Sequence, residues 1–460
     1  MSDPGRPEPT NWFRRWHLYA ITLGATVVLV VSYFSDLGTE SVQLVAPPIR
    51  DNTSPLPYPR TGTYFIEHDA LPTVEELARY DVVVIDSEWQ HRAPKSFFDD
   101  LRRANPQVRL LAYVNPVYAL REIGSREYWA NNYKIWQFGD DKVSRFPDEW
   151  LARTANGELA DVWDGRYLTN LTDEAPRVNG QLYVEYVADW VIDQIWSTGI
   201  WDGIFLDVWG DRLYNTDHES WDIDRNGTDE LPEQIYGPDT PMDRGLTIGE
   251  QRMRAAMPTA LLVINGVRVL RSAMIDGRVW ESFTDPLADR EALADLTNYV
   301  DVSTGTDHRL PGMMMTIDTR RVEAGSPQDY QRARFELGAT LLQDGYWAPM
   351  GSNYGEIAYY DEMDGGGLGR GYLGRAREDN PDMAALSKPS VDGTGSPATG
   401  VFRRDFDNGI VLVNAGDAPQ TITLERTYRR LRGTQDPNTN NGEETTAVTL
   451  APKDGIVLLR

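Results

Sequence analysis

Two short stretches carry residue types that could do acid–base or nucleophilic chemistry. DGIFLDVWGDR, 202–212, ends an apolar run in Asp207, Trp209 and Asp211, and GRVWESF, 277–283, ends another in Glu281 directly after Trp280. Hydrolysis of a glycosidic bond needs one carboxyl group as acid and one carboxylate facing the anomeric carbon. Asp207 is assigned as nucleophile or charge stabiliser, and Glu281 as general acid/base in the partly apolar setting that Trp280 implies. The bland alternatives are a sugar-hydroxyl or structural role for Asp207, and an ion pair with Arg268, Arg271 or Arg278 for Glu281. Other strand-like runs end in similar groups. Asp86, Glu88, Trp89, Asn115, Trp209, Asn265 and Asp318 are the candidate substrate-binding residues, and His68, Asp69 and Asn353 occupy comparable ends.

These residues need a scaffold that gathers strand ends. From Thr61 onward short apolar runs alternate with helical stretches, the pattern of a parallel sheet wrapped by helices. The candidate strands are TYFIEHD (63–69), DVVVIDSEW (81–89), VRLLAYVNP (108–116), GIFLDVW, ALLVINGV (260–267), GRVWESF, GMMMTID (312–318) and YWAPMGS (346–352). The first helix, TVEELARY, starts with Thr73 as N-cap and Glu76 completing a capping box. Eight such steps predict an α/β fold, a (β/α)8 TIM barrel, whose chemistry sits at the C-terminal ends of the strands. No phosphate-cradling glycine motif follows any strand, so no nucleotide cofactor is expected. After about Pro389, short alternating strands broken by Gly, Asn and Asp predict a small C-terminal β-sandwich. The expected organisation is a cytoplasmic N-terminus over 1–16, a transmembrane anchor or signal over 17–35, a Pro-rich stalk over 36–60, a catalytic barrel over 61–390 and the β-sandwich over 397–460.

DGIFLDVWGD together with VWESF resembles hypothetical bacterial glycoside hydrolases grouped near the endo-α-1,4-polygalactosaminidase family and, more broadly, the α-galactosidase-type barrel superfamily. YYDEMDGGGLGRGYLG followed by VFRRDFDNGIVLVN resembles the tail of the same hydrolases. The likeness runs from about Tyr64 to Arg460. It implies an acid at the end of strand four and another at the end of strand six, which here are Asp207 and Glu281. The α-galactosidase relatives usually carry Asp at the second position, so Glu281 leans toward the polygalactosaminidase side. Substrate identity does not carry over.

DIDRNGTDELPE, 222–233, has the spacing of an EF-hand-type calcium loop. Asp222, Asp224 and Asn226 fall at positions 1, 3 and 5, and Gly227 at the sharp sixth-position turn. Thr228 supplies a backbone carbonyl, Glu230 the ninth position and Glu233 the twelfth. Asp229 and Pro232 depart from the pattern. The expected ion is a structural Ca2+ bracing the loop that follows Asp207. The glycine-rich DEMDGGGLGRGY, 361–372, reads either as a lid over the site or as an unstructured connection.

Bulk composition narrows the classes. The chain has 460 residues, 10% aromatic, and a formal charge of −25, which repels phosphate backbones and excludes nucleic acid as a partner. It has no cysteine, which removes disulfides and thiolate chemistry. Arg14 and Arg15 precede a mainly apolar stretch from Leu18 to Phe34, about long enough to cross a hydrocarbon core of roughly 30 Å. The flanking charge predicts a single-pass membrane protein with its folded part extracytoplasmic, or secreted if the segment is cleaved. The expected partners are a poly- or oligosaccharide and the membrane. The reading from another class is a non-catalytic polysaccharide-binding or cell-envelope scaffold protein on the same barrel.

Overall fold

The structure is a computed structural model that describes residues 56–67, 70–120, 146–163, 166–210, 212, 216–266, 274–283, 291–305, 315–319, 322–387 and 400–460. The proposed cytoplasmic segment, the membrane-spanning stretch, most of the stalk, His68, Asp69 and Asp211 lie outside the described residues. Among the described residues no helix is long and apolar enough to cross a membrane. Residues 49–460 form one compact unit.

In chain order the strands are β1 (Gly62–Phe65), β2 (Val82–Asp86) and β3 (Arg109–Val114). An insertion follows with three short strands, β4 (Tyr118–Leu120), β5 (Asp161–Trp163) and β6 (Arg166–Leu168). The chain then continues through β7 (Gly203–Leu206), β8 (Leu261–Ile264), β9 (Gly277–Glu281), β10 (Met315–Thr319) and β11 (Tyr346–Met350). β1, β2, β3, β7, β8, β9, β10 and β11 make one eight-stranded parallel sheet in that order. A parallel bridge between Thr61 and Trp347, whose N–H donates to the Arg60 carbonyl at 3.0 Å, brings its two edges together. The result is a nearly closed eight-stranded barrel.

The barrel strands are buried on both faces over most of their described residues, which is why these runs are almost continuously apolar. Tyr64, Val82, Val84, Leu111, Phe205, Val263, Val279, Met315, Ile317 and Tyr346 fill the interior. The alternate residues, among them Val83, Ile85, Leu110, Ala112, Ile204, Leu206 and Leu262, pack under the surrounding helices. The capping box read at Thr73 and Glu76 is present, with the Glu76 N–H donating to Thr73 Oγ1 and the Thr73 N–H to Glu76 Oε2.

The N-terminal ends of three alternate barrel strands share one device. Asp81, Asp202 and Asp276 each stand one residue before a strand (β2, β7 and β9). Each backbone N–H donates to the carbonyl of one residue in the preceding strand or its approach, respectively Thr61, Leu110 and Leu262, at 2.8–2.9 Å. Each carboxylate then accepts the N–H of that same residue, at 2.9, 2.8 and 2.8 Å. An arginine completes each grip: Arg370 on Asp81, Arg102 on Asp202 and Arg254 on Asp276. The register between adjacent strands is thus held at two points on one residue.

The C-terminal strands are β12 (Val401–Asp405), β13 (Gly409–Asn414), β14 (Gln420–Arg430), β15 (Glu444–Leu450) and β16 (Asp454–Leu459). They form one antiparallel sheet in the order β12-β13-β16-β14-β15. The expected two-sheet sandwich is therefore a single continuous sheet. The long β14, irregular between Thr423 and Tyr428, pairs with both β15 and β16. Ile422, Leu424, Val448 and Leu450 then share a core with Ile410, Leu412, Ile456 and Leu458. Val411 and Val413, on the other face, belong to the main core with the helix Pro327–Leu341.

The glycine-rich segment is not a lid. Asp361 accepts the Thr434 and Gln435 N–H groups, Glu362 accepts Asn440, and Arg370 pairs with Asp81 at the N-terminal end of the barrel. It clasps the C-terminal sheet to the barrel at the end away from the carboxylates.

The strand grips should dominate local stability. Asp202→Ala leaves Arg102 and the Leu110 N–H without their shared acceptor and should lower unfolding free energy by about 3–5 kcal/mol in urea titration. Asp202→Asn keeps an acceptor oxygen for Leu110 and should cost less. Equal, negligible losses in both variants would refute this account.

Candidate active site

The interior-facing alternation continues past the strands into polar residues. Val82 and Val84 lead to Asp86, Leu111 and Tyr113 to Asn115, Phe205 to Asp207, Leu261 and Val263 to Asn265, and Val279 to Glu281. Because side chains repeat every second residue, these five emerge on the inside at the C-terminal mouth.

Asp207 and Glu281 meet through one amide. Asn265 Nδ2 donates to Asp207 Oδ1 at 3.0 Å and to Glu281 Oε2 at 2.9 Å. The other oxygen of Asp207 accepts the Tyr113 hydroxyl at 2.6 Å and Asn115 Nδ2 at 3.1 Å. The Val208 N–H adds a further donor to Oδ1 at 3.0 Å. Asp207 is half-buried and held from several sides, whereas Glu281 is exposed and accepts the Tyr354 hydroxyl at 3.1 Å.

The apolar setting expected around Glu281 belongs instead to Asp207. Burial pushes the Asp207 carboxyl up to about 6; the Tyr113 hydrogen bond opposes this, the Glu281 charge adds to it, and the Asn265 and Val208 donors oppose it further. Burial, with the charge of Asp207 beside it, also holds the Tyr113 phenol well above its ordinary range, so it remains a donor.

Both carboxylate strands end in strained backbone. Val208, directly after Asp207, has φ +53°, and Ser282, directly after Glu281, has φ +52°. A left-handed β-branched residue is a genuine outlier, and such positions cost about 1–3 kcal/mol each. The turn after Asn265 is also tight. Gly266 has φ +159°, and a Cβ there would lie 2.6 Å from the Trp209 backbone. That close approach seats the Asn265 strand end beside the turn that leaves Asp207.

Of the other expected substrate contacts, Trp209, Glu88 and Trp89 do not reach the mouth. Trp209 is completely buried and donates Nε1 to Glu250 at 3.0 Å, because the left-handed Val208 turns the chain back into the core. Glu88 is buried against Arg92 at 2.7 Å, and Trp89 is buried with Arg92 over its ring. Both begin a helical turn rather than extending β2, so strand alternation does not carry to them. Trp347 is likewise a core residue. Asp86 is buried and caps the turn by accepting the Glu88 N–H at 2.8 Å. Asp318 pairs in register with Pro349, and its side chain lies outside the described residues. Sequence reading missed Tyr113 and Tyr354. Tyr113 shares the face of Asn115 two residues on, a signal present in AYVNP, while Tyr354 reaches Glu281 from a loop 73 residues away.

In the loop over 222–233, carboxylate oxygens of Asp222, Asp224 and Glu230 lie within 4.8 Å of one another. Asp222 accepts the Asn226 and Gly227 N–H groups at 3.0 and 2.8 Å, and Gly227 turns with φ +87°. Glu233 is not one of the converging carboxylates; it is exposed in the short helix Pro232–Ile235. Arg225 donates to the Asp148 and Leu151 carbonyls, which ties this loop to the insertion.

Residues 102–410, about two thirds of the chain, match the model of a family described as hypothetical glycosyl hydrolase family 15. The chain belongs to that family. No curated protein matches it. Among solved structures, this member of the family is similar to the glycoside hydrolase domain of PelA from Pseudomonas aeruginosa, at 14% identity over 64% of this chain and 95% of that one, with a TM-score of 0.37. It is also similar to the GH27 β-L-arabinopyranosidase Abp of Geobacillus stearothermophilus, at 8% identity, 89% and 97% coverage and a TM-score of 0.41. A variant of the GH36 α-galactosidase AgaA from the same organism matches at 8% identity over 90% of this chain and 56% of that one, with a TM-score of 0.39. Nothing about the family member's own substrate follows from likenesses this distant.

The raised Asp207 carboxyl makes a signed prediction. The folded state keeps a proton up to about pH 6 that the unfolded chain releases near pH 4, so stability falls as pH rises through that window. Relative to Asp207→Asn, the wild type should lose up to about 3 kcal/mol between pH 4 and 7 in urea unfolding. Parallel pH profiles for the two proteins would show that Asp207 titrates normally.

Proposed function

We propose that the protein is a retaining glycoside hydrolase acting on an extracytoplasmic poly- or oligosaccharide, with Asp207 as nucleophile and Glu281 as general acid/base. The observation that carries this reading is the shared Asn265 amide. Oxygens of both carboxylates lie within 3.0 Å of one nitrogen, so those two oxygens stand no more than about 6 Å apart, which favours the short spacing of a retaining pair, roughly 5–5.5 Å, over the roughly 6.5–9.5 Å of an inverting one.

The division of labour rests on hydrogen bonding and solvent access, not on the raised carboxyl, which is that of Asp207. A nucleophile must be aimed, and Asp207 is gripped by Tyr113, Asn115, Asn265 and the Val208 N–H. Those donors favour the ionised form against the cost of burial. An acid/base must exchange protons with both leaving group and water, and Glu281 is open to solvent. In the first step Glu281 would protonate the departing oxygen as Asp207 bonds the anomeric carbon; in the second it would take a proton from the water that releases the sugar. The extracytoplasmic placement rests on the Arg14–Arg15 flank and the apolar run after it.

Calcium is a second part of the proposal. Asp222, Asp224 and Glu230 would supply carboxylate oxygens and Thr228 its carbonyl, with Asn226 beside them. Calcium would neutralise that cluster and stiffen the loop, which Arg225 ties to the insertion.

Soluble protein from about Pro55 onward should cleave at least one polymer in a set of amino-sugar and galactose polysaccharides. Glu281→Gln should lower the rate by about 10²–10⁴-fold, and Asp207→Asn should abolish it, with melting temperatures not lowered. Azide should rescue Asp207→Ala as an inverted glycosyl azide and Glu281→Ala as a retained one; the opposite outcome would exchange the two roles. Wild type and both carboxylate variants equally inert on every polymer would favour the binding-protein reading, and equal cleavage by all three would remove Asp207 and Glu281 from catalysis. Independently, chelation should lower the melting temperature and added Ca2+ restore it. An unchanged transition would remove calcium from the account.

A further inference from the structure

Tyr354 lies outside every role assigned above except its hydrogen bond to Glu281. Among the described residues the large apolar side chains left exposed are Leu231, Leu293, Tyr354 and Leu368, and Tyr354 is the one aromatic among them, at 43% exposure. Leaving that much ring in water forgoes burial energy that a purely structural tyrosine would gain.

Its position is fixed. The Tyr354 carbonyl accepts the Ile66 N–H at 3.1 Å, which joins its loop to the end of β1. The turn beneath is closed by a bridge between Met350 and Ile357 and by Glu356, whose carboxylate accepts both the N–H and the hydroxyl of Ser352 at 2.8 Å. The ring stands edge-on to the interior Tyr64 at 5.8 Å between centroids. One end of the side chain is therefore anchored on the barrel core and the other on Glu281 Oε1 at 3.1 Å, while much of the ring remains open to solvent at the mouth.

We propose that Tyr354 is a substrate-contacting residue whose ring packs on the apolar face of a pyranose bound next to Glu281. Its hydroxyl keeps the ring and that carboxylate in one fixed relation. An aromatic ring is the surface that binds a sugar's C–H face, and one held rigid before binding loses little conformational freedom when the sugar arrives. The proposal rests on the carbohydrate-binding part of the reading above but not on cleavage.

The test is calorimetric titration of tetrasaccharides of galactosamine, glucosamine and galactose into Asp207→Asn protein, which cannot turn them over. The same titrations are run with Tyr354→Phe and Tyr354→Ala added. The phenylalanine variant should keep the dissociation constant within about twofold, whereas alanine should weaken it by about five- to tenfold. Both should melt where the parent does, because the side chain is exposed. Unchanged affinity in the alanine variant, or no binding of any tetrasaccharide by the parent, overturns the platform. Binding by the wild type without cleavage of any polymer leaves the platform standing and overturns the hydrolase reading alone.

Discussion

The two-point grip of Asp81, Asp202 and Asp276 on the preceding strand is the constraint on which the site depends. In a parallel barrel a one-residue slip moves every interior side chain to the helix-facing side. Each of these aspartates donates its N–H to one residue and accepts that residue's N–H with its carboxylate, so a slip would break both bonds and draw the carboxylate away from its arginine. The same three strands end in Asp86, Asp207 and Glu281, five residues further on in each case. DVVVID, DGIFLD and DGRVWE are thus one pattern used three times. An outward acid at the start sets the register, and an inward acid at the end is delivered to the mouth.

The mouth reverses the logic of the lower barrel. Below, each acid that starts a strand is paired with an arginine; above, a carboxylate is drawn out of water and the two non-glycine residues directly after the carboxylates sit in left-handed backbone. Strain of this kind persists only where the surroundings over-determine it. Here the over-determination comes from β7 and β9, locked at their starts, and from the close approach of Gly266 to the Trp209 backbone. The clasp formed by 361–374 belongs to the same rigid lower half, since Arg370 completes the grip of Asp81.

Much of this was legible in the sequence, and the failures have specific causes. The eight apolar runs, the acids and amides at their ends and the capping box follow from local alternation and local hydrogen bonding. Asn115, Asp207, Asn265 and Glu281 could be read because each lies one alternation beyond a buried strand. Trp209 could not be placed, because nothing in DVWGD announces that Val208 adopts a conformation β-branched residues avoid. Glu88 and Trp89 were misplaced by extending a strand two residues into a helical turn. Tyr113 hid as an apolar strand residue, and Tyr354 required a non-local approach that no window contains. The glycines of 361–372 suggested a lid or an unstructured connection, but positive φ and close backbone approach, as at Gly366 beside the Arg432 carbonyl, use glycine just as well.

The asymmetry of the carboxylate pair follows from where Asn265 stands. β8 lies between β7 and β9 in the sheet, so a side chain at its inward end stands between the tips of both neighbours. An amide there can give one N–H to each carboxylate, which an acid could not do without adding a third negative charge and which a hydroxyl, with one proton, could do for only one of them. The amide therefore holds two like charges at a fixed short spacing while leaving their surroundings free to differ. Tyr113 and Asn115 enclose the β7 partner on the side toward β3, while the β9 partner faces solvent and the loop after β11. One bridging side chain thus sets the spacing, and the two flanks, contributed by different strands, set the chemistry of each acid.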